Sequence, residues 1–422
     1  VDVNHKKDQL QNECVAKWTV NDKTGTCEII TGAGKTFLSL KALYTMPRHN
    51  DLTHLFLAEQ KDREIDLEAD IIKFNKLNNC DVHKDYNLKF FCYQTVRNWS
   101  GYKLGLVIAD EIHDSMTPEN YKFYINNSFK AIIGLTAKFD GKIQYTVKKD
   151  SLLRSIFNQD IVSKQDLLNS VAPIVFKYNT DQGQTDGTSR LLNIYIVETE
   201  IDCNNKNIES GNATTKFYQS EEAAIKYANK NVNIALGLQP FPNEDYYTYQ
   251  ERRNLSIFKA SLKRSALIYD LPSKIAAANK IIKTVLGKTI IFGNSLNSIK
   301  KVTPFIVAST NSDEVNASNR RMFDEDEIRT IGSFKKLKQG ANLERADNAL
   351  LLSYYSTEVD FIQRIGRLRQ HKNLFGNVFI LVTKGTQEEV WLSKMMSSST
   401  NYKVFRGTLE ECTNKYLINL QE

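Results

Sequence analysis

The sequence predicts an α/β protein with two parallel-sheet domains in tandem and a helical insertion in the second half. Three observations support this. The chain of 422 residues, 41% hydrophobic and 25% charged, is too long for one ordinary core and too apolar for disorder. Short apolar runs alternate with amphipathic stretches, as in strands joined by crossover helices. That alternation pauses after residue 204 and resumes at Thr289.

In the first part the alternating segments are Cys27–Ile30, Phe37–Tyr44, His54–Ala58, Ile65–Phe74, Phe90–Tyr93, Leu104–Ala109 and Ala131–Leu135. Residues 1–150 are therefore expected to form the first domain. Residues 151–190 are expected to be a transition, because 179–190 is rich in Gly, Thr, Asp and Gln and reads as a linker or exposed loop. The second domain is placed at 191–422. It opens on a strand-like run, Leu191–Val197, and continues into a helical elaboration over 204–282. The stretch Tyr246–Ile282 within it is helical and basic, with Arg252, Arg253, Lys259, Lys263 and Arg264. Beyond it come Ile290–Phe292, Asn348–Ser353, a helix at Val359–Leu368 and a strand at Asn377–Val382.

A formal charge of +7, from 56 Lys and Arg against 49 Asp and Glu, favours a polyanionic partner without demanding one. The six cysteines, Cys14, Cys27, Cys80, Cys92, Cys203 and Cys412, form no close pair and have no His at zinc-ligand spacing. Neither a disulfide framework nor a metal cage is expected, which points to a reducing, intracellular compartment. The stretch Val1–Gln11 has no apolar core, and no run is long enough to span a bilayer, so a soluble protein without a membrane partner is expected.

The strongest local signal is Thr31-Gly32-Ala33-Gly34-Lys35-Thr36, preceded by an apolar run and followed by a helix-like one. A strand, a glycine turn and a helix start let bare backbone N–H groups and the helix dipole surround phosphate oxygens. Lys35 adds a point charge and Thr36 a hydroxyl for a metal ion. Ile29 stands where the general pattern has its first glycine. Downstream, the apolar run Leu104–Ala109 ends in Asp110-Glu111-Ile112-His113. An acid at the carboxyl end of a buried strand beside a phosphate loop is placed to hold Mg²⁺ through Asp110, while Glu111 orients and deprotonates an attacking water.

On these residues the chain resembles superfamily 2 helicases of the DExH type, and the likeness extends over most of the sequence outside 204–282. The resemblance implies two RecA-like domains, ATP and Mg²⁺ as cofactors, and adenine recognition by Gln9, although Asp8 replaces the usual aromatic before it. Phe91-Cys92-Tyr93-Gln94-Thr95 resembles the segment that contacts a nucleic-acid backbone, with Thr95 as the contacting hydroxyl. Gly134-Leu135-Thr136-Ala137 resembles the coupling motif, with Thr136 linking the metal-bound acids to the strand-binding surface. Lys338-Gln339-Gly340-Ala341-Asn342-Leu343 and Gln363-Arg364-Ile365-Gly366-Arg367-Leu368-Arg369 resemble the fifth and sixth motifs, in wording close to Snf-type translocases and phage-type branched-DNA helicases.

The resemblance thus makes Gly340 and Arg369 nucleotide contacts, and Gln363, Arg364 and Arg367 catalytic residues. Arg367 is the finger that reaches the γ-phosphate, a contribution of about 10³ to 10⁵ in rate. Lys335, Lys336 and Lys338 add a basic cluster for backbone phosphates, with weak sequence preference and strong salt dependence. The expected activity is ATP-driven movement along branched or duplex DNA by a monomer, in recombination, repair or replication, in the host cytoplasm if phage-encoded. Two alternatives stay open: an RNA helicase, which shares every motif named, and a nucleotide-gated nucleic-acid-binding module without turnover.

Overall fold

The computed structural model describes residues 3–48, 51–61, 63–147, 151–211, 214–334, 346–354, 361, 364–366, 368, 375–396 and 402–420. The chain divides into two compact units, one built on residues 1–190 and the other on the bulk of 191–422.

The first unit runs α1 (Val3–Val20), β1 (Thr24–Ile29), α2 (Lys35–Tyr44), β2 (Thr53–Ala58), α3 (Arg63–Asn78), α4 (Val82–Tyr86), β3 (Leu88–Cys92), α5 (Tyr93–Val96), β4 (Lys103–Asp110), α6 (Pro118–Asn126), β5 (Ser128–Thr136), β6 (Gln144–Thr146), α7 (Leu152–Phe157), β7 (Ile161–Ser163), α8 (Lys164–Val171), β8 (Ile174–Tyr178) and α9 (Thr180–Asp186). Six strands form one sheet in the order β3-β2-β4-β5-β1-β8, every neighbouring pair parallel. Both faces are covered, which is why the strands read as continuous apolar runs. Trp18, Leu40, Phe56, Phe74 and Ile108 pack on one face, and Leu57, Val107, Tyr121, Ile132 and Leu168 on the other.

Residues 151–190 are not a linker. They supply three helices, the short strand β7 and β8, which pairs with β1 through Thr26↔Ile174 and Cys27↔Phe176 and completes the first sheet. The polar stretch 179–190 is a capped helix: Asn179 accepts from the Gln182 amide while Gln182 accepts from the Asn179 amide, and Gly187 ends it at φ +74°. The cysteines also depart from expectation, since Cys14 of α1 and Cys27 of β1 are paired as a buried disulfide. They are 13 residues apart in sequence, and only the packing of helix on strand brings them together.

The second unit runs β9 (Leu191–Thr199), β10 (Ile208–Gly211), β11 (Lys216–Gln219), α10 (Glu221–Leu236), α11 (Tyr246–Tyr269), α12 (Pro272–Thr284), β12 (Thr289–Phe292), α13 (Leu296–Lys300), β13 (Ile306–Ala308), α14 (Asp313–Asp324), β14 (Thr330–Phe334), β15 (Asn348–Leu351), β16 (Phe375–Thr383), α15 (Gln387–Met395), β17 (Lys403–Thr408) and α16 (Leu409–Asn419). Seven of its strands form a second parallel sheet in the order β13-β14-β12-β15-β16-β9-β17. The elaboration is smaller than 204–282 and not wholly helical. It is the antiparallel hairpin of β10 and β11 followed by α10 and α11, which pack on each other. Helix α12 belongs to the sheet, burying Ala277, Ala278 and Ile281 in the core beside Tyr195 and Phe379.

Candidate nucleotide site

Three neighbouring strands bring the first-unit motifs together. In the sheet order β4-β5-β1, the carboxyl end of β4 carries Asp110, that of β5 carries Thr136, and β1 leads into the phosphate loop. Ligands of open parallel sheets bind outside this edge. In the loop, Thr31, Gly32, Ala33 and Gly34 precede α2, whose first two residues are Lys35 and Thr36. Gly32 and Gly34 take φ +91° and +83°, where a side chain is strained. A Cβ on Gly34 would also fall 2.5 Å from Gln11 Nε2.

The charged groups interlock. Lys35 Nζ donates to Glu111 Oε1 at 2.6 Å, and both side chains are largely buried. Burial raises the affinity of the Glu111 carboxyl for a proton, but Lys35, then His113 and the Ala137 amide hold it well below the usual carboxylate range. Glu111 itself sits at φ +47°, which turns its side chain back toward the loop from the strand end. His113 Nδ1 lies 2.9 Å from Thr136 Oγ1, whose hydroxyl also contacts the Lys138 carbonyl at 3.0 Å. Burial keeps His113 neutral, pulling its pKa down to about 4. Asp114, 3.4 Å from His113 Nε2, is pushed up to about 8 by burial and by Glu59 and Glu111.

The donor set fits Mg²⁺. Asp110 Oδ1 is buried with no hydrogen-bond partner, and the Thr36 hydroxyl lies in the same pocket, bridged to the other Asp110 oxygen by Arg63. Hard oxygen donors, few in number, are what Mg²⁺ takes from a protein when phosphates and waters complete its octahedron. No cluster of three His, Cys, Asp or Glu side chains suited to a metal occurs among the described residues.

Other expected residues are placed differently. Gln9 lies on the exposed side of α1, where its Nε2 meets His5 Nε2 at 3.0 Å. Gln11 takes the loop instead: buried, it donates to the carbonyls of Ala33 at 3.1 Å and Gly34 at 3.3 Å. A signal existed in the sequence, because Gln11, Cys14 and Trp18 share one helical face and Trp18 and Cys14 are apolar. Arg63, unremarked in the sequence, is the other addition, with no motif spacing to betray it. Thr95 is exposed on α5, just after the carboxyl end of β3. Arg364 is buried. Lys335, Lys336, Lys338, Gly340, Gln363, Arg367 and Arg369 lie outside the described residues, as does half of the expected helix at 359–368. No helix among the described residues is long and apolar enough to cross a membrane.

Residues 3–140 match the family described as type III restriction enzyme, res subunit. Over 406 residues the chain is 22% identical to the DNA 3'-5' translocase XPB2 of Sulfurisphaera tokodaii, covering 90% of this chain and 82% of that protein. Among solved structures, S. cerevisiae Dbp5 bound to RNA and ADP BeF3 superposes with a TM-score of 0.59 at 10% identity, over 97% of this chain and 92% of the other. The ATP-dependent type ISP restriction-modification enzyme LlaBIII bound to DNA superposes with a TM-score of 0.55 at 13% identity over 95% of this chain, which spans 31% of that enzyme. These likenesses establish two RecA-like domains in tandem. With a phosphate loop and an Asp-Glu-Ile-His strand end on one sheet edge and a res-subunit match over residues 3–140, the chain is similar to the superfamily 2 helicases and translocases of the DExH type and is a nucleic-acid-dependent ATPase.

Proposed function

We propose that this protein hydrolyses ATP to move along DNA, remodelling or unwinding branched or duplex substrates. The observation that carries the reading is the junction of Lys35, Thr36, Asp110 and Glu111, tied through His113 to Thr136. The DNA preference is supported by the relatives, since XPB2 is named a DNA translocase and LlaBIII was solved with DNA. Dbp5, solved with RNA, keeps the RNA reading as an outcome of the test.

The chemistry follows from the residues. Backbone N–H groups of residues 32–36 and the start of α2 cradle the phosphates, and Lys35 leaves Glu111 for a phosphate oxygen. Mg²⁺, when bound by Thr36 and Asp110, neutralises charge on the phosphates. Release from Lys35 raises the basicity of Glu111, so nucleotide binding itself readies the group that takes the proton of the attacking water. Gln11 fixes the loop by bonding the carbonyls of Ala33 and Gly34, and Thr136 feels the state of Glu111 through the neutral His113. In this reading Arg367, Arg364 and Gln363 act in catalysis, Gly340 and Arg369 contact the nucleotide, and Thr95, Lys335, Lys336 and Lys338 contact the backbone of the nucleic acid. The protein acts as a monomer.

ATP turnover measured with single-stranded DNA, forked DNA, duplex DNA and RNA tests the proposal. Strongest stimulation by forked or duplex DNA is expected. Stimulation by RNA alone would replace DNA with RNA, and no hydrolysis with any of them would leave a nucleotide-gated binding module.

A further inference from the structure

The most unusual group beside the phosphate loop is a cation that no motif calls for. Arg63, the first residue of α3, keeps only 14% of its side chain exposed. Its Nε donates to Asp110 Oδ2 at 2.7 Å, its Nη2 to Thr36 Oγ1 at 2.7 Å, and its Nη1 lies 3.5 Å from Asp66 Oδ2. Burial disfavours its charge, but Asp110, Asp66 and Glu111 more than restore it. An arginine in the first turn of a helix also opposes the helix dipole, so its position reflects what it holds rather than helix stability. The register of the sheet fixes the approach: β2 runs beside β4 with Leu57 opposite Ala109, which sets the connection into α3 beside the end of β4.

A Mg²⁺ bound by the same two residues has bonds of about 2.0–2.1 Å to oxygen and needs an octahedral shell. A guanidinium hydrogen-bonded to Thr36 Oγ1 and Asp110 Oδ2 occupies the hydroxyl and one of the two carboxylate oxygens from which that shell would be built, beside the open Asp110 Oδ1, and carries like charge. The two cations exclude one another. Asp66, one helical turn along α3, offers the guanidinium an acceptor on its own helix.

We propose that Arg63 is a tethered cation that competes with the divalent metal for Thr36 and Asp110, so that metal loading moves its guanidinium onto Asp66. This rests on the reading of Thr36 and Asp110 as the metal-holding pair. Arg63 is a positioning residue: it neutralises a buried carboxylate, keeps Asp110 and Thr36 in register, and sets a threshold that the metal must overcome. Loading is thereby linked to the start of α3, at the edge of the sheet next to β3 and Thr95.

The test uses the full chain and Mn²⁺ alone, titrated by the electron paramagnetic resonance of the free ion. Arg63→Gln keeps polarity but removes the charge, and is expected to bind Mn²⁺ about tenfold more tightly than the native chain, a shift of about 1.4 kcal/mol. Arg63→Lys, charged but unable to bridge both oxygens, is expected between the two. Asp66→Asn, with its acceptor weakened, is expected to bind Mn²⁺ more weakly than the native chain. A merely structural arginine would lower or leave unchanged the affinity of Arg63→Gln, and that result overturns the proposal. Asp110→Asn serves as the control: if it loses Mn²⁺ while Arg63→Gln gains nothing, only the competition fails, whereas if it titrates like the native chain the metal-site reading itself fails. Should Arg63→Gln not fold, hydrogen exchange on the native chain decides. Exchange in the first turn of α3 is expected to rise on adding Mn²⁺ with ADP relative to ADP with a chelator, and no change there overturns the competition.

Discussion

Single residues at the strand ends carry opposite proton affinities within a few ångströms, which makes them separable by pH. Asp114 takes up its proton far more readily folded, near pH 8, than in an unfolded chain near 4, so the folded form binds the extra proton between those values and loses stability as pH rises through that window. His113 behaves in the opposite sense, since its folded pKa of about 4 lies below its ordinary value and stability rises with pH between about 4 and 6.5. Asp114→Asn is therefore expected to raise stability at pH 8 by roughly 1 kcal/mol or more, with the gain vanishing toward pH 4, as followed by urea titration at each pH. A pH-independent difference would show that Asp114 titrates normally. At the same scale, Lys35→Ala is expected to lower ATP turnover at least about a hundredfold while circular dichroism and much of the nucleic-acid binding are unchanged. Unchanged hydrolysis would remove Lys35 from the site. Of these residues, the loop and Asp110-Glu111 were legible in sequence because each is contiguous and flanked by its own strand. Gln11 and Arg63 were not, because what places them is the packing of α1 and α3 on a sheet whose strand order no local pattern encodes.

At the scale of elements, the basic helix of the insertion uses its arginines internally. Arg252 pairs with Glu244 at 2.7 Å and stacks 4.0 Å over the Phe241 ring, while Arg253 donates to the Leu236 carbonyl. These contacts pin the connection between α10 and α11. Arg252→Ala is expected to loosen that connection and speed limited proteolysis between Gly237 and Asp245 severalfold; equal cleavage rates would show the pin is dispensable. A second element-level tie is the fully buried ion pair of Lys274 on α12 with Glu388 on α15, where Glu388 also accepts from the Thr383 amide at 3.0 Å. Burial draws the Lys274 ammonium below its ordinary pKa, opposed by Glu388. Lys274→Met leaves Glu388 charged and buried, and is expected to cost roughly 3–5 kcal/mol in a denaturant titration. A loss under about 1 kcal/mol would mean that the carboxylate is neutralised by its other partners. The sequence reading of 204–282 as one helical body failed at this scale, because α12 has the amphipathic period of a free helix and only its packing against β9 and β16 assigns it to the sheet.

For the whole molecule, the net charge of +7 and the proposed contacts with a polyanionic backbone imply counterion release on binding. The DNA concentration that half-stimulates turnover is expected to rise about tenfold or more between 50 and 200 mM salt. A flat response would argue against backbone recognition. The sequence by itself determined the α/β class and the place of the phosphate-loop motif between a strand and a helix, because period and contiguous motifs are local properties of the chain. The tertiary structure alone decided that 151–190 completes the first sheet, that Cys14 meets Cys27, and that Gln11 rather than Gln9 touches the loop. It alone also placed a guanidinium between Thr36 and Asp110, because such neighbours are set by strand order and helix docking, which join residues far apart in sequence.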